Sequence, residues 1–257
     1  MSIVHEERGE GLPVVLLHPF PFDRSYWAPQ LGAFVDRCRC IAPDRRGFGE
    51  SPAGPPYTMD SHADDIAALL DRLSIESAVI GGLSMGGYVA LAMWRRHPER
   101  VRGLMLLDTR ASADTESERA RRAGQIEFVQ RHGTGALADE LMPVLLGATT
   151  RERHPENIDR VRAMISRASV QGVVDAVKAM MDRPDSVEAL ATITVPTLIV
   201  CGAEDVVTPP EESRLMHDRI AGSVLETIEG AGHLSSLERP AAVNHVIAEF
   251  LAELIYA

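Results

Sequence analysis

The chain has 257 residues, 45% hydrophobic and 25% charged, a balance that builds one large globular core with room for an insertion. Its formal net charge of −11, with Lys and Arg interleaved among Asp and Glu, excludes a phosphate-binding surface, so no nucleic-acid partner is expected. The opening MSIVHEERGEGLP has neither a basic start nor an apolar stretch of signal length, and no apolar run reaches the roughly eighteen residues of a membrane span; the expectation is a cytoplasmic protein with no membrane partner.

In chain order, β-rich runs stand at LPVVLLH (12–18), RCIAP (39–43), SAVIGGL (77–83), VRGLMLLD (101–108), TLIVCGA (197–203) and VLETI (224–228). Runs such as VVLL and LIV are continuously apolar, which suits strands covered on both faces, as in a parallel sheet. Helical patterns lie between them. In 61–74, Ile66, Leu69, Leu70 and Leu73 recur at helical spacing, and in 239–254 Val243, Val246, Ile247, Phe250, Leu251 and Leu254 form one stripe behind Pro240. From about Arg110 to Pro184 no strand pattern is found; amphipathic stretches appear instead, one through Leu137, Leu141, Val144 and Leu145, another through Val173, Val177, Met180 and Met181. Residues 110–184 therefore read as a helical insertion, and 1–109 with 185–257 as the α/β domain that carries it. Cys38, Cys40 and Cys201 lie in or beside strands and read as reduced core thiols, since an odd count suits neither a disulfide framework nor a zinc site.

The stretch GGLSMGGY (81–88) joins a predicted strand to a predicted helix, the context that the G-x-S-x-G pattern of Gly82, Ser84 and Gly86 requires. In such a turn the serine is strained, and side chains two residues to either side would collide with it. A phosphate-cradling loop is the bland alternative, but the chain has neither a Walker-type lysine nor G-x-G-x-x-G spacing. A nucleophilic Ser84 needs a histidine base, and that base needs an acid to set its tautomer. His233, in GAGHLSSLERP, lies on a glycine-flanked loop before the last helix; His5, His62, His97, His132, His154, His217 and His245 are expected at the surface. For the acid, Asp205 in CGAEDVVTPP follows a buried strand, with Asp108 and Glu204 as rivals. Two backbone N–H groups would hold the oxyanion: Met85, after the serine, and Phe20, because Pro19 and Pro21 in HPFPFD have no N–H to give.

Five stretches in this order, HPFPFD, DRRGFGES (44–51), GLSMG, GAEDVVTP and GAGHLSSLERP, resemble the α/β-hydrolase family over nearly the whole chain outside the insertion. The combination is similar to small single-domain carboxylesterases, 3-oxoadipate enol-lactonases and cofactor-free perhydrolases. The resemblance implies an α/β-hydrolase fold: an eight-stranded, mostly parallel sheet flanked by helices, with a helical cap inserted after the sixth strand. It places Asp205 first among the acids, and it makes His18 a support of its loop; Pro19 replaces the glycine usual after that histidine. The implied function is serine hydrolysis of a small carboxylic ester or lactone through an acyl-enzyme, with no cofactor and no metal. Pro21 is shared with some perhydrolases, which keeps that activity as an alternative, beside a slow or non-catalytic receptor for a small lactone. A homo-oligomer is compatible with the sequence. For the pocket wall the candidates are Phe20, Phe22 and Trp27, with Met142, Met164, Met180 and Met181 of the cap, each also readable as core. An anionic enol-lactone would need an inward-facing arginine, for which Arg110, Arg162 and Arg167 are candidates.

Overall fold

The structure, a computed structural model, describes residues 3–256. Seven strands form one sheet: β1 (His5–Arg8), β2 (Leu12–Leu17), β3 (Cys38–Pro43), β4 (Ala78–Leu83), β5 (Val101–Leu107), β6 (Thr197–Gly202) and β7 (Val224–Ile228). Their spatial order is β1-β3-β2-β4-β5-β6-β7, and every neighbouring pair is parallel except β1 against β3. The apolar runs explain this arrangement. Val14 to Leu17, Leu104 to Leu107 and Leu198 to Val200 are buried on both faces of the sheet, and each such side chain contributes about 1.5–3 kcal/mol by leaving water.

The six strand runs of the sequence are β2 to β7, with ends shifted by a residue at most. The implied eight strands give way to seven among the described residues, so the helical insertion follows the fifth strand, not the sixth. β1 reads HEER, a polar edge strand with two of its four residues exposed, and leaves no apolar run to detect.

Helices α1 (Ala28–Ala33), α2 (Met59–Arg72) and α3 (Met85–Arg96) connect the first five strands. α2 begins two residues before the sequence pattern because Thr58 caps it reciprocally with Ser61. After β6 come α9 (Pro210–Arg219), α10 (Ser235–Glu238) and α11 (Pro240–Tyr256), while α4 (Glu116–Leu145), α5 (Ala148–Arg153), α6 (Glu156–Ser166), α7 (Val170–Met181) and the short α8 (Val187–Leu190) separate β5 from β6. The long α4 bends where Gly133 takes φ 79°, ψ 177°. It packs on α6 and α7, and Leu137, Leu145, Val161, Val173 and Val177 of these helices are buried.

Polar contacts tie this helical layer to the sheet domain at two places, beside the apolar clusters the two share. At one, Gly147 N donates to Glu238 Oε2 at 2.9 Å and Thr149 N to Glu204 Oε2 at 2.9 Å. At the other, Arg167 Nη2 donates to Asp23 Oδ2 at 3.1 Å and Ser25 Oγ at 3.0 Å, and Ser169 Oγ to Gly47 O at 3.3 Å.

His62 departs from its expected place at the surface. It is buried, its ring 4.3 Å from that of Tyr57, because it shares the buried face of α2 with Met59, Ala63 and Ile66. All three cysteines are buried free thiols. No helix among the described residues is long and apolar enough to cross a membrane.

Candidate active site

The groups singled out in the sequence gather where parallel sheets usually bind ligands, at the carboxyl ends of the strands and beside the point where the strand order reverses. β2 and β4 are neighbours, with β3 beyond one and β5 beyond the other. Phe20 follows β2, Ser84 follows β4, Asp205 follows β6 and His233 follows β7.

Ser84 occupies a sparsely populated backbone conformation, φ 54°, ψ −115°, and such a residue persists only where its surroundings over-determine it. Ser84 N donates to Leu107 O at 2.9 Å, while Ser84 O accepts from Gly87 N at 2.9 Å and Thr109 Oγ1 at 2.8 Å. The glycines act differently from the expectation. A β-carbon on Gly82 would overlap the backbone of Gly86, and one on Gly86 would overlap the Leu17 carbonyl of β2. They let the turn close on itself and on the neighbouring strand; the serine is not what they avoid.

His233, almost fully buried, joins the other two groups. Its Nε2 lies 2.8 Å from Ser84 Oγ and its Nδ1 2.8 Å from Asp205 Oδ2. With Nδ1–H donating to the carboxylate, Nε2 is left as the acceptor for the serine hydroxyl. Asp205 Oδ1 accepts from Val207 N at 2.8 Å and Thr208 N at 3.0 Å, and Oδ2 accepts from Thr208 Oγ1 at 2.8 Å. Burial alone would raise the Asp205 carboxyl, but the facing His233 and the hydrogen bonds from His233 and Thr208 outweigh it and hold the group below its ordinary range.

Neither rival acid hydrogen-bonds His233 among the described residues. Glu204 turns to the cap, where it accepts from Thr149 N and Oγ1. Asp108 is fully buried; its Oδ1 accepts from Gly202 N at 2.8 Å and its Oδ2 meets the Ser235 hydroxyl. Burial, and then the nearby Asp205 charge, push its carboxyl well above the usual carboxylate range.

His18 is buried at the end of β2, Nδ1 against Pro19 O at 2.9 Å and Nε2 accepting from Arg45 N at 3.2 Å. Burial and the Arg45 charge hold the ring well below its ordinary value, so it is neutral and ties the Phe20 loop to the 44–51 turn. Met85 opens α3 immediately after Ser84, and Phe20 lies in the cavity wall with Ser84 and His233.

Glu238 went unnoticed in the sequence. Its buried carboxylate accepts from Gly232 N at 2.9 Å and Leu234 N at 3.2 Å on Oε1, and from the cap's Gly147 N on Oε2. It thus brackets His233 on both sides and ties that loop to the cap. The available signal was a glutamate five residues after the histidine in an otherwise small and apolar stretch.

Above Ser84 lies a cavity of about 280 Å³. Of the expected wall residues Phe20 and Met180 line it, whereas Phe22, Trp27, Met142 and Met164 are buried in the core and Met181 is half-buried against it. Of the expected arginines only Arg110 lines it; Arg162 pairs with Asp139, and Arg167 with Asp23. Arg121, Arg122, Gln125 and Glu140 of α4, and Tyr88 of α3, complete its polar wall. Among the described residues no three His, Cys, Asp or Glu side chains gather as a metal site.

Residues 13–240 match the family described as alpha/beta hydrolase fold. The chain is 31% identical over 232 residues to 3-oxoadipate enol-lactonase 2 of Acinetobacter baylyi, covering 87% of this chain and 82% of that one. Among solved structures, it superimposes on a thermophilic esterase from Thermogutta terrifontis with a TM-score of 0.95 at 42% identity, covering 98% of this chain and 94% of the other. The enol-lactonase from Burkholderia xenovorans gives 0.90 at 29% identity, covering 97% and 96%. Sheet order, serine turn and family match together make one conclusion: the chain belongs to the α/β-hydrolase family.

Proposed function

We propose that the protein is a carboxylic ester hydrolase that cleaves a small ester or lactone through an acyl-enzyme on Ser84. One observation carries this reading: the hydrogen-bond chain from Asp205 through His233 to Ser84, 2.8 Å at each link, at the floor of a cavity. The esterase and enol-lactonase names of its relatives support the same chemistry.

In this mechanism His233 Nε2 takes the Ser84 proton as Oγ attacks the carbonyl carbon, and Asp205 stabilises the imidazolium that forms. Backbone N–H groups of Phe20 and Met85 donate to the oxyanion, each worth on the order of 100- to 1000-fold in turnover. The imidazolium returns its proton to the leaving alkoxide, which departs; in a lactone it stays tethered to the acyl group. Water, deprotonated by the same imidazole, then attacks the acyl-enzyme and frees Ser84. The positive φ of Ser84 presents Oγ to the cavity, so no backbone rearrangement precedes attack.

The test is hydrolysis of p-nitrophenyl acetate and butyrate by the wild type and by Ser84→Ala. A loss on the order of 10⁶-fold in turnover is expected; equal rates would refute the proposal. Pro21, directly after Phe20, favours one second reading, a peroxide-using perhydrolase. Peracid formation from acetate and hydrogen peroxide, faster than ester hydrolysis, would select it.

A further inference from the structure

Among the described residues five large apolar side chains are exposed: Val144, Val170, Val206, Leu215 and Val224. Two of them, Val144 and Val206, line the cavity above Ser84. Val206 is 65% exposed, the most of the five, and Val144 39%. A lone exposed valine needs no explanation, but these two are not alone. Leu141 and Leu145 of α4 and Val207 of the acid loop line the same cavity, and apolar surface that continues from a cavity wall into water marks where a ligand covers it.

The two valines stand on different elements that the fold holds together. Leu141, Val144 and Leu145 recur at the three- and four-residue spacing that puts side chains on one helix face. Val206 and Val207 directly follow Asp205. α4 ends at Leu145, and Gly147, two residues on, is packed so closely that a β-carbon there would lie 2.6 Å from Glu204 Oε2 and 2.8 Å from Gly232 N. Thr149 N donates to the same Glu204 oxygen at 2.9 Å. The end of α4 is thus fixed beside the loops that carry Asp205 and His233, and its apolar face forms with Val206 and Val207 the His233 side of the cavity.

That side is where the alcohol half of an ester departs. As the bond from the carbonyl carbon to the alcohol oxygen breaks, His233 Nε2, 2.8 Å from Ser84 Oγ, gives its proton to that oxygen. The alcohol half must therefore lie against His233. We infer that it is an apolar chain, running between Val144 of the cap and Val206 of the acid loop. This rests on the reading of Ser84 as the nucleophile of an ester hydrolase and narrows the substrate class for it. The class is esters of aliphatic alcohols longer than ethanol, or lactones with an alkyl arm on the carbon that bears the ring oxygen. The cavity of about 280 Å³ lies just under the roughly 300–1,000 Å³ that encloses a drug-sized ligand, so such a chain reaches the rim and covers both valines.

The experiment uses isomeric esters that carry one chain on opposite sides of the carbonyl: hexyl acetate against ethyl hexanoate, and butyl acetate against ethyl butanoate, followed by pH-stat. kcat/KM for hexyl acetate should exceed that for its isomer by about tenfold. The butyl pair should differ by less, because each methylene covered adds to binding. Combining Val144→Ser with Val206→Ser should lower the hexyl ratio by about threefold or more; both side chains are exposed, so the pair removes no core packing. A hexyl ratio of one or less in the wild type, or a ratio that the double substitution leaves unmoved, would overturn the inference. Ser84→Ala protein titrated calorimetrically with hexyl acetate reads the subsite without the chemistry. Binding that the two serines weaken upholds an alkyl subsite even if the wild type cleaves nothing, in which case only the hydrolase reading falls. Binding that they leave unchanged sinks the inference even if esters are cleaved.

Discussion

The strand-end loops and the helical layer that faces them are held by different forces. In the loops, backbone packs on backbone: β-carbons on Gly82, Gly86 or Gly202 would overlap main-chain atoms of neighbouring segments. The cap instead rests mainly on side chains: Leu137, Val173 and Val177 share one buried apolar cluster with the sheet domain and Leu145, Val161 and Ile165 the other, beside the polar contacts of Gly147 to Glu238, Thr149 to Glu204 and Arg167 to Asp23. Steric fixation leaves the groups at the strand ends almost no freedom, whereas the cap supplies cavity wall, with Leu141, Leu145 and Met180 among its lining residues. Changes in the loops should therefore strike turnover, and changes in the cap should strike binding.

The largest test of this contrast after Ser84→Ala is the pair of buried aspartates. Asp205→Asn should lower kcat by on the order of 10⁴-fold, because the amide presents the wrong partner to Nδ1 and reverses the tautomer. Asp108→Asn should keep kcat within about tenfold. Its carboxyl accepts from Gly202 and Ser235 and makes no hydrogen bond to His233 among the described residues, and the asparagine amide oxygen can still accept from Gly202. A comparable collapse in both variants would mean that Asp108 shares the work of the acid.

Glu238 belongs to both regions and separates them within one side chain. Glu238→Gln can keep its oxygen on Gly232 and Leu234 but must then point its NH₂ at the Gly147 N–H, so a rise in KM larger than the fall in kcat is expected. Glu238→Ala releases the histidine loop as well and should lower kcat by about tenfold, with Tm down by roughly 3–10 °C from the three orphaned N–H groups. Identical kinetics in the two variants would dissolve the distinction. The smallest effect is expected of Arg167→Gln, which breaks an ion pair whose arginine is 53% exposed. Exposed pairs contribute about 0–1 kcal/mol, so kcat/KM should stay within about fivefold; a greater loss would show that this contact also shapes the Phe20 loop.

The same division decided what could be read from the sequence. The buried strands announce themselves as apolar runs, and the serine turn is marked by glycines because backbone crowding forbids any side chain there. Asp205 and His233 were legible through their places after strands, even though 28 residues separate them. β1 was not, since a polar edge strand is defined by its partner and not by its own residues. Glu238 was hidden because its partners are backbone N–H groups, which have no sequence signature. Arg121 and Arg122 were equally hidden, for a helix pattern says which residues share a face but not which cavity that face meets.

In the proposed mechanism the positive φ at Ser84 is what presents the hydroxyl, and it makes the fold carry strain at that residue. Glycine would relax it without disturbing Gly82 or Gly86, so selection for heat resistance alone would favour the change that removes the proposed nucleophile. Durability and catalysis are opposed here at a single backbone angle.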